Sequence, residues 1–123
     1  MQYFEWNLIE DGKHWQRLRD DAVHLAELGV SGVWIPPCTK AITSNDVCYA
    51  AYDLYDLGEF DQKGCRQTKY GTKQELQESI QVLHKNNLKV YADVVLNHKA
   101  GADETERFQV VMVAPQDREL NVS

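Results

Sequence analysis

Near the end of the 123-residue chain, Asp93-Val-Val-Leu-Asn97-His98 sets a carboxylate, an amide and an imidazole close together. The aliphatic run between them continues from Lys89-Val-Tyr-Ala92. A run that is apolar on both faces fits a buried parallel strand better than a half-exposed antiparallel one. Parallel α/β folds bind ligands at the carboxyl ends of their strands, because the loops there form the open face. Asn97 and His98 stand where chemistry is expected, and Asp93 lies deeper in the strand. An Asp in a strand also reads as a hydrogen-bonded core carboxylate, and a His at a strand end as a plain surface residue. Burying a carboxylate is costly unless it is paired, so the remaining chain must supply its partner.

The segment Cys38 to Gly71 is the second place where chemistry gathers. It runs about thirty residues where a strand-to-helix connection takes two to six. Its stretch Asn45-Asp-Val-Cys-Tyr49-Ala-Ala-Tyr52-Asp53-Leu-Tyr55-Asp56-Leu-Gly58-Glu59-Phe60 is dense in aromatics and carboxylates. Proteins grip sugars with such sets, stacking an aromatic face on the apolar ring face while carboxylates and amides take the hydroxyls. A long ordered loop on the carboxyl side of a parallel sheet is a working surface. Tyr52 and Tyr55 are read as scaffold that packs this loop onto the strands.

The elements that must hold these residues follow from periodicity. Gln2-Tyr-Phe-Glu-Trp6 reads as a short first strand. From Lys13 to Leu28, Trp15, Leu18, Ala22, Leu25 and Leu28 recur every three or four positions, one face of an amphipathic helix. Asp11 is placed to cap its start and Gly29 to take the left-handed position past its end. Val30 to Ile35 is a second strand, stopped by Pro36-Pro37. The second helix opens with a capping box, Thr72 and Glu75, and ends at Asn86-Asn87. The strand carrying Asp93 follows, giving β-α-β-α-β with parallel, right-handed crossovers. Phe108 to Val113 reads as a further strand before a turn at Ala114 to Asp117.

Composition narrows the partners. A net charge of −6 with no basic run excludes nucleic acid. No apolar stretch approaches membrane-spanning length and no leader pattern is visible, which implies no membrane partner. Cys38, Cys48 and Cys65 are an odd set without metal-ligand spacing, so a reduced, cytoplasmic chain is the simplest expectation. A bridge from Cys48 to either of the others is the alternative.

Taken together, Met1-Gln-Tyr-Phe-Glu-Trp6, Val33-Trp-Ile-Pro-Pro37, Ala51-Tyr-Asp-Leu-Tyr-Asp-Leu-Gly-Glu-Phe60, Thr68-Lys-Tyr-Gly71 and Asp93-Val-Val-Leu-Asn-His98 resemble the N-terminal part of bacterial α-amylases of the liquefying and intracellular branch. The resemblance implies an α/β fold, the β-α-β-α-β portion of a (β/α)8 barrel over residues 1–98. Residues 99–123 would open a β-rich domain inserted after the third strand. It implies endo-hydrolysis of α-1,4-glucan with retention, by a carboxylate nucleophile and a carboxylic acid. Both are expected beyond Ser123, which leaves the 123-residue chain inactive by itself.

Carried over position by position, Asp93 orients the active-site network, His98 and Tyr49 meet the sugar at the cleavage subsite, and Gln2 and Trp6 approach the glucan. Asn97 corresponds to a ligand of a structural calcium through its amide oxygen. In this chain alone calcium binding is expected to be weak or nil, since calcium takes six to eight oxygens. Cys48 and Ala50 stand where similar amylases commonly have glycine, and Asn7 where an aromatic is frequent. Two other readings stay open. One is a non-catalytic glucan-binding piece, or one that self-assembles through open sheet edges as a homo-oligomer. The other is a sister enzyme of the same barrel family acting on α-1,6 links.

Overall fold

Helix α1 (His14–Glu27) buries Trp15, Leu18, Ala22 and Leu25 of the predicted stripe, whereas Leu28, past its last turn, is exposed. The computed structural model describes residues 1–122. Past the helix, Gly29 takes a left-handed φ of +83° and its N–H bonds the Ala26 carbonyl, as the C-terminal cap requires. The start differs from expectation. Lys13 holds the cap position with no side-chain cap bond, while Asp11 accepts from the Lys13 N–H and pairs with Arg17 at 2.7 Å. The carboxylate lies too early to reach further into the first turn, and it ties the turn before the helix instead.

Strand β1 (Gly32–Ile35) alternates, with Val33 and Ile35 buried and Trp34 exposed. Helix α2 (Lys73–Lys85) begins with the full capping box: Thr72 Oγ1 accepts from the Glu75 N–H, and the Glu75 carboxylate accepts from the Thr72 N–H. It ends at Asn86, and Asn87 adopts a φ of +58°. The two helices pack against each other, and α2 also against strand β4 (Lys89–Ala92). Strand β4 pairs parallel with β1, Gly32 opposite Lys89 through Ile35 opposite Ala92. The parallel crossover from β1 through α2 to β4 is therefore present.

Three expected strands are corrected. The first is reduced to an isolated parallel bridge, Gln2 to Trp34, with Tyr3 N–H donating to the Trp34 carbonyl and Trp34 N–H to the Met1 carbonyl. Beyond it the Gln2 amide takes the Phe4 carbonyl and the Glu5 carboxylate takes the Asn7 N–H, using backbone groups a ladder would need. The strand before Asp93 stops at Ala92, and Val94 and Leu96 are exposed rather than buried. Among the described residues β4 has one strand neighbour, so no strand pairs with its outer edge. The third shift is at the C-terminal end. Residues 108–112 are not a strand, and a hairpin forms between β5 (Val113–Ala114) and β6 (Asp117–Asn121) about the expected turn. Strand β6 pairs back only to Val113, which leaves Phe108 to Val111 unpaired and exposed.

The excursion from Cys38 to Gly71 carries two short antiparallel strands, β2 (Lys40–Ala41) and β3 (Ala51–Asp53). Its knot is Lys40, whose ammonium donates to the carbonyls of Phe60, Cys65 and Arg66 and lies 3.5 Å from Asp56 Oδ2. Asp56 Oδ1 accepts from the N–H groups of Gly58, Glu59 and Phe60, and its other oxygen from the Gln62 amide. Both side chains are almost wholly buried. Burial pushes the Asp56 carboxyl upward, but the N–H groups and the Gln62 amide outweigh it and hold it below the usual carboxylate value. The loop is fastened to α1 through aromatics, with His14, Trp15 and Tyr70 in mutual contact at centroid distances of 5.3–5.4 Å.

Two outcomes are expected. Lys40→Met strands Asp56 and three carbonyls, and should cost about 3 kcal/mol or more in urea denaturation. Burial, followed by the nearby Arg17 charge, lowers the His14 pKa from 6.5 to about 4, against smaller upward contributions from Tyr3 and Asp11. Between those values the unfolded chain binds a proton that the folded chain refuses. Stability is thus full above 6.5 and falls toward 4 by up to about 1.4 kcal/mol per pH unit. His14→Phe should flatten that slope in denaturation series run across this window.

Candidate functional site

Two segments far apart in sequence meet at the carboxyl end of β4. Tyr49, from the loop between β2 and β3, donates its hydroxyl to Asp93 Oδ2 at 2.7 Å across 44 residues. This is the partner the Asp93 carboxylate required. Burial first, then the hydrogen bond and charge of Asp93, push the Tyr49 phenol up to about 12, so it stays a donor at any ordinary pH. Trp6 stacks on the Tyr49 ring with centroids 5.9 Å apart and planes 11° from parallel. Trp6 itself is 65% exposed, so one side of the stack is open to solvent.

His98 joins the same group. Its Nε2 lies 2.8 Å from the Tyr49 carbonyl, which can only accept, so Nε2 carries the proton. The other nitrogen, Nδ1, faces the Asn97 amide at 3.5 Å. A cleft of about 350 Å³ lies between the N-terminal segment and this group, lined by Gln2, Phe4, Trp6, Trp34 and Tyr49 with Tyr70 beneath. Glu5 lies on its rim, with its carboxylate accepting from the Asn7 N–H.

The structure therefore brings Gln2, Trp6 and Tyr49 to one cleft and ties Asp93 and His98 to Tyr49. Asn97 is adjacent and exposed. As a calcium site the residues here do not suffice: Asn97 offers one amide oxygen, and among the described residues no group of three His, Cys, Asp or Glu could hold an ion. Sequence reasoning did not single out Phe4, Trp34 or Tyr70 as cleft residues. Trp34 carried a signal, because alternation within Val33-Trp34-Ile35 turns it away from the helices. Tyr70 carried none, since only the folded loop brings it under Tyr49. Tyr52 and Tyr55 do not pack the loop onto the strands as expected: the Tyr52 hydroxyl bonds the Asp103 carboxylate in the segment after β4, with Lys63 lying 4.2 Å over its ring, and Tyr55 is exposed. The three cysteines are free thiols, and burial pushes Cys38 and Cys48 up to about 12, unreactive as nucleophiles.

With this geometry in view, the family described as alpha amylase, catalytic domain, matches residues 15–119. The chain belongs to the α-amylase family. An α-amylase from Bacillus licheniformis is 57% identical over 123 residues, which is 100% of this chain and 24% of that protein. A cytoplasmic α-amylase from Escherichia coli strain K12 is 45% identical over 119 residues, 96% of this chain and 24% of that protein. The chain thus spans about a quarter of the length of these α-amylases. A solved alternansucrase in complex with isomaltononaose superposes with a TM-score of 0.66 at 25% identity, over 80% of this chain and 9% of that one. The mixed α/β arrangement with its parallel crossover agrees with membership of this family of glycosidases. No helix among the described residues is long and apolar enough to cross a membrane.

Tyr49→Phe keeps the stack on Trp6 and removes the donor to Asp93. It should cost about 1 kcal/mol, against about 2–3 kcal/mol for Tyr49→Ala, which also loses the ring. Urea denaturation of both variants measures the two contributions separately.

Proposed function

We propose that this chain is the N-terminal part of an α-amylase that cleaves α-1,4-glucan internally with retention. In this reading residues 1–98 supply the first three strands and two helices of a (β/α)8 barrel, and residues 99–123 open a β-rich unit after the third strand. The observation that supports it best is the Tyr49–Asp93 hydrogen bond beside the Trp6 stack. It ties the aromatic face that lines the open cleft to a fixed carboxylate beside that cleft, the pairing that a sugar ring asks for.

Within the cleft the roles follow from the bonds already made. The open ring face takes the apolar side of a glucose unit. Asp93 is held by the Tyr49 hydroxyl and keeps one oxygen for a further donor. His98 has spent its Nε2 proton on the Tyr49 carbonyl, so a sugar hydroxyl would meet Nδ1 by displacing the Asn97 amide that faces it at 3.5 Å. Retaining hydrolysis needs a nucleophile and an acid about 5–5.5 Å apart, and the resemblance assigns both to residues beyond Ser123. Calcium, to which Asn97 would add one oxygen, would need its other ligands from there too. A reduced cytoplasmic setting accords with the three free thiols and with the E. coli relative described as cytoplasmic.

The test is hydrolysis of an end-blocked maltooligosaccharide by this chain and by its gene read on past Ser123. Cleavage by the longer product alone is expected. Cleavage by neither would reject the reading. A second reading, self-assembly, is favoured by the outer edge of β4, which has no partner strand among the described residues, and by exposed Trp34 and Tyr91 beside it. Light scattering that gives a concentration-independent monomer would remove it.

A further inference from the structure

The ring of Tyr49 projects from a turn whose backbone is tied at several points. The Val47 carbonyl accepts from the Tyr70 hydroxyl at 3.0 Å, and Tyr70 is fixed in the core against His14 and Trp15. The Cys48 N–H donates to Asp46 Oδ1 at 2.7 Å, and the Ala50 N–H reaches the same oxygen at 3.4 Å. The Tyr49 carbonyl is taken by His98, the Ala50 carbonyl by the Ile42 N–H, and the Ala51 carbonyl by the Ala100 N–H. Inside this set Cys48 is held at a φ of +68°, a left-handed conformation that a residue with a β-carbon adopts at a cost of about 1–2 kcal/mol. Something must offset that cost, and the bonds made by Asp46 lie directly across the strained residue.

We infer that Asp46 is the positioning residue of the aromatic platform. Its Oδ1 gathers the N–H groups on both sides of Tyr49, stabilises the left-handed turn at Cys48, and so sets the Tyr49 ring against Trp6 and its hydroxyl on Asp93. Asp46 touches neither Trp6 nor Asp93, so it acts only through the turn. Tyr70 is the second support, from the core side. A φ of +68° is free for glycine, and cysteine holds it because the turn is fastened from outside.

The experiment compares Asp46→Ala, Asp46→Asn and Tyr70→Phe in the 123-residue chain. The first readout is the near-ultraviolet circular dichroism that Trp6→Leu removes, which reports the Trp6–Tyr49 stack without any ligand. The second is the affinity for maltohexaose from Trp fluorescence, and this arm alone rests on the glucan reading. Asp46→Ala should lose the stack signal with its far-ultraviolet spectrum kept, and bind about tenfold more weakly. Asp46→Asn should retain both, because an amide oxygen accepts the same two N–H groups. Tyr70→Phe should lower the stack signal, and it carries the test if Asp46→Ala does not fold. An unchanged signal in a folded Asp46→Ala, or an equal loss in Asp46→Asn, overturns the inference; so does an unchanged signal in Tyr70→Phe if Asp46→Ala does not fold. If the wild-type chain binds no maltohexaose, the glucan reading fails while the first readout still decides the role of Asp46.

Discussion

The structure depends most on one buried ammonium. Lys40 sits in the first part of a long loop and holds carbonyls contributed by its last part, so a single side chain closes the excursion on itself. Charges removed from water lose several kcal/mol each, and their attraction alone seldom returns it. Here the debt is met by hydrogen bonds. The ammonium is surrounded by carbonyls, and the Asp56 carboxylate by three N–H groups and an amide. A loop closed in this way behaves as a small rigid body, and Tyr49 is carried on it.

That rigid body is then docked in two directions. Toward the helices, the Trp15 N–H bonds the Tyr70 carbonyl and the Lys73 N–H bonds that of Gly58, so the starts of α1 and α2 are both sewn to the loop. A β-carbon at Gly58 would fall 2.8 Å from the Gly71 carbonyl, so the close approach of the two loop arms demands glycine there. Toward the strands, the loop reaches Asp93 and His98 through Tyr49. The cleft is a by-product of this docking: its aromatic wall comes from the loop, the N-terminal segment and Trp34 of β1, and the carboxylate past β4 holds that wall through Tyr49.

The sequence makes the helices legible nearly to the residue, because a three-to-four spacing and a capping box are local signals that packing reinforces. Composition by itself points to Asp93, Asn97 and His98, which close an aliphatic run, whereas Tyr49, Gln2 and Trp6 are singled out only by the resemblance. The misreadings share a cause. Val94 to Leu96 look buried because they are aliphatic, and Gln2 to Trp6 look like a strand because they are aromatic. Burial and pairing, however, depend on neighbours that local composition does not reveal. Asp46 was invisible for a related reason. An Asp in a loop is ordinary, and its significance lies in the φ of the residue two places on.

The sequence distances within the cleft have a consequence in time. Trp6, Tyr49, Asp93 and His98 are spread over residues 6–98, so no short contiguous piece contains the arrangement. On a ribosome, a nascent chain exposed only as far as α2 would already own the aromatic pair. It would have no carboxylate to fix the phenol and no imidazole to hold the turn. Such contacts between distant segments form only after the loops between them have closed. The group around Tyr49 is therefore incomplete until the segment just past β4, Asp93 to His98, has been made.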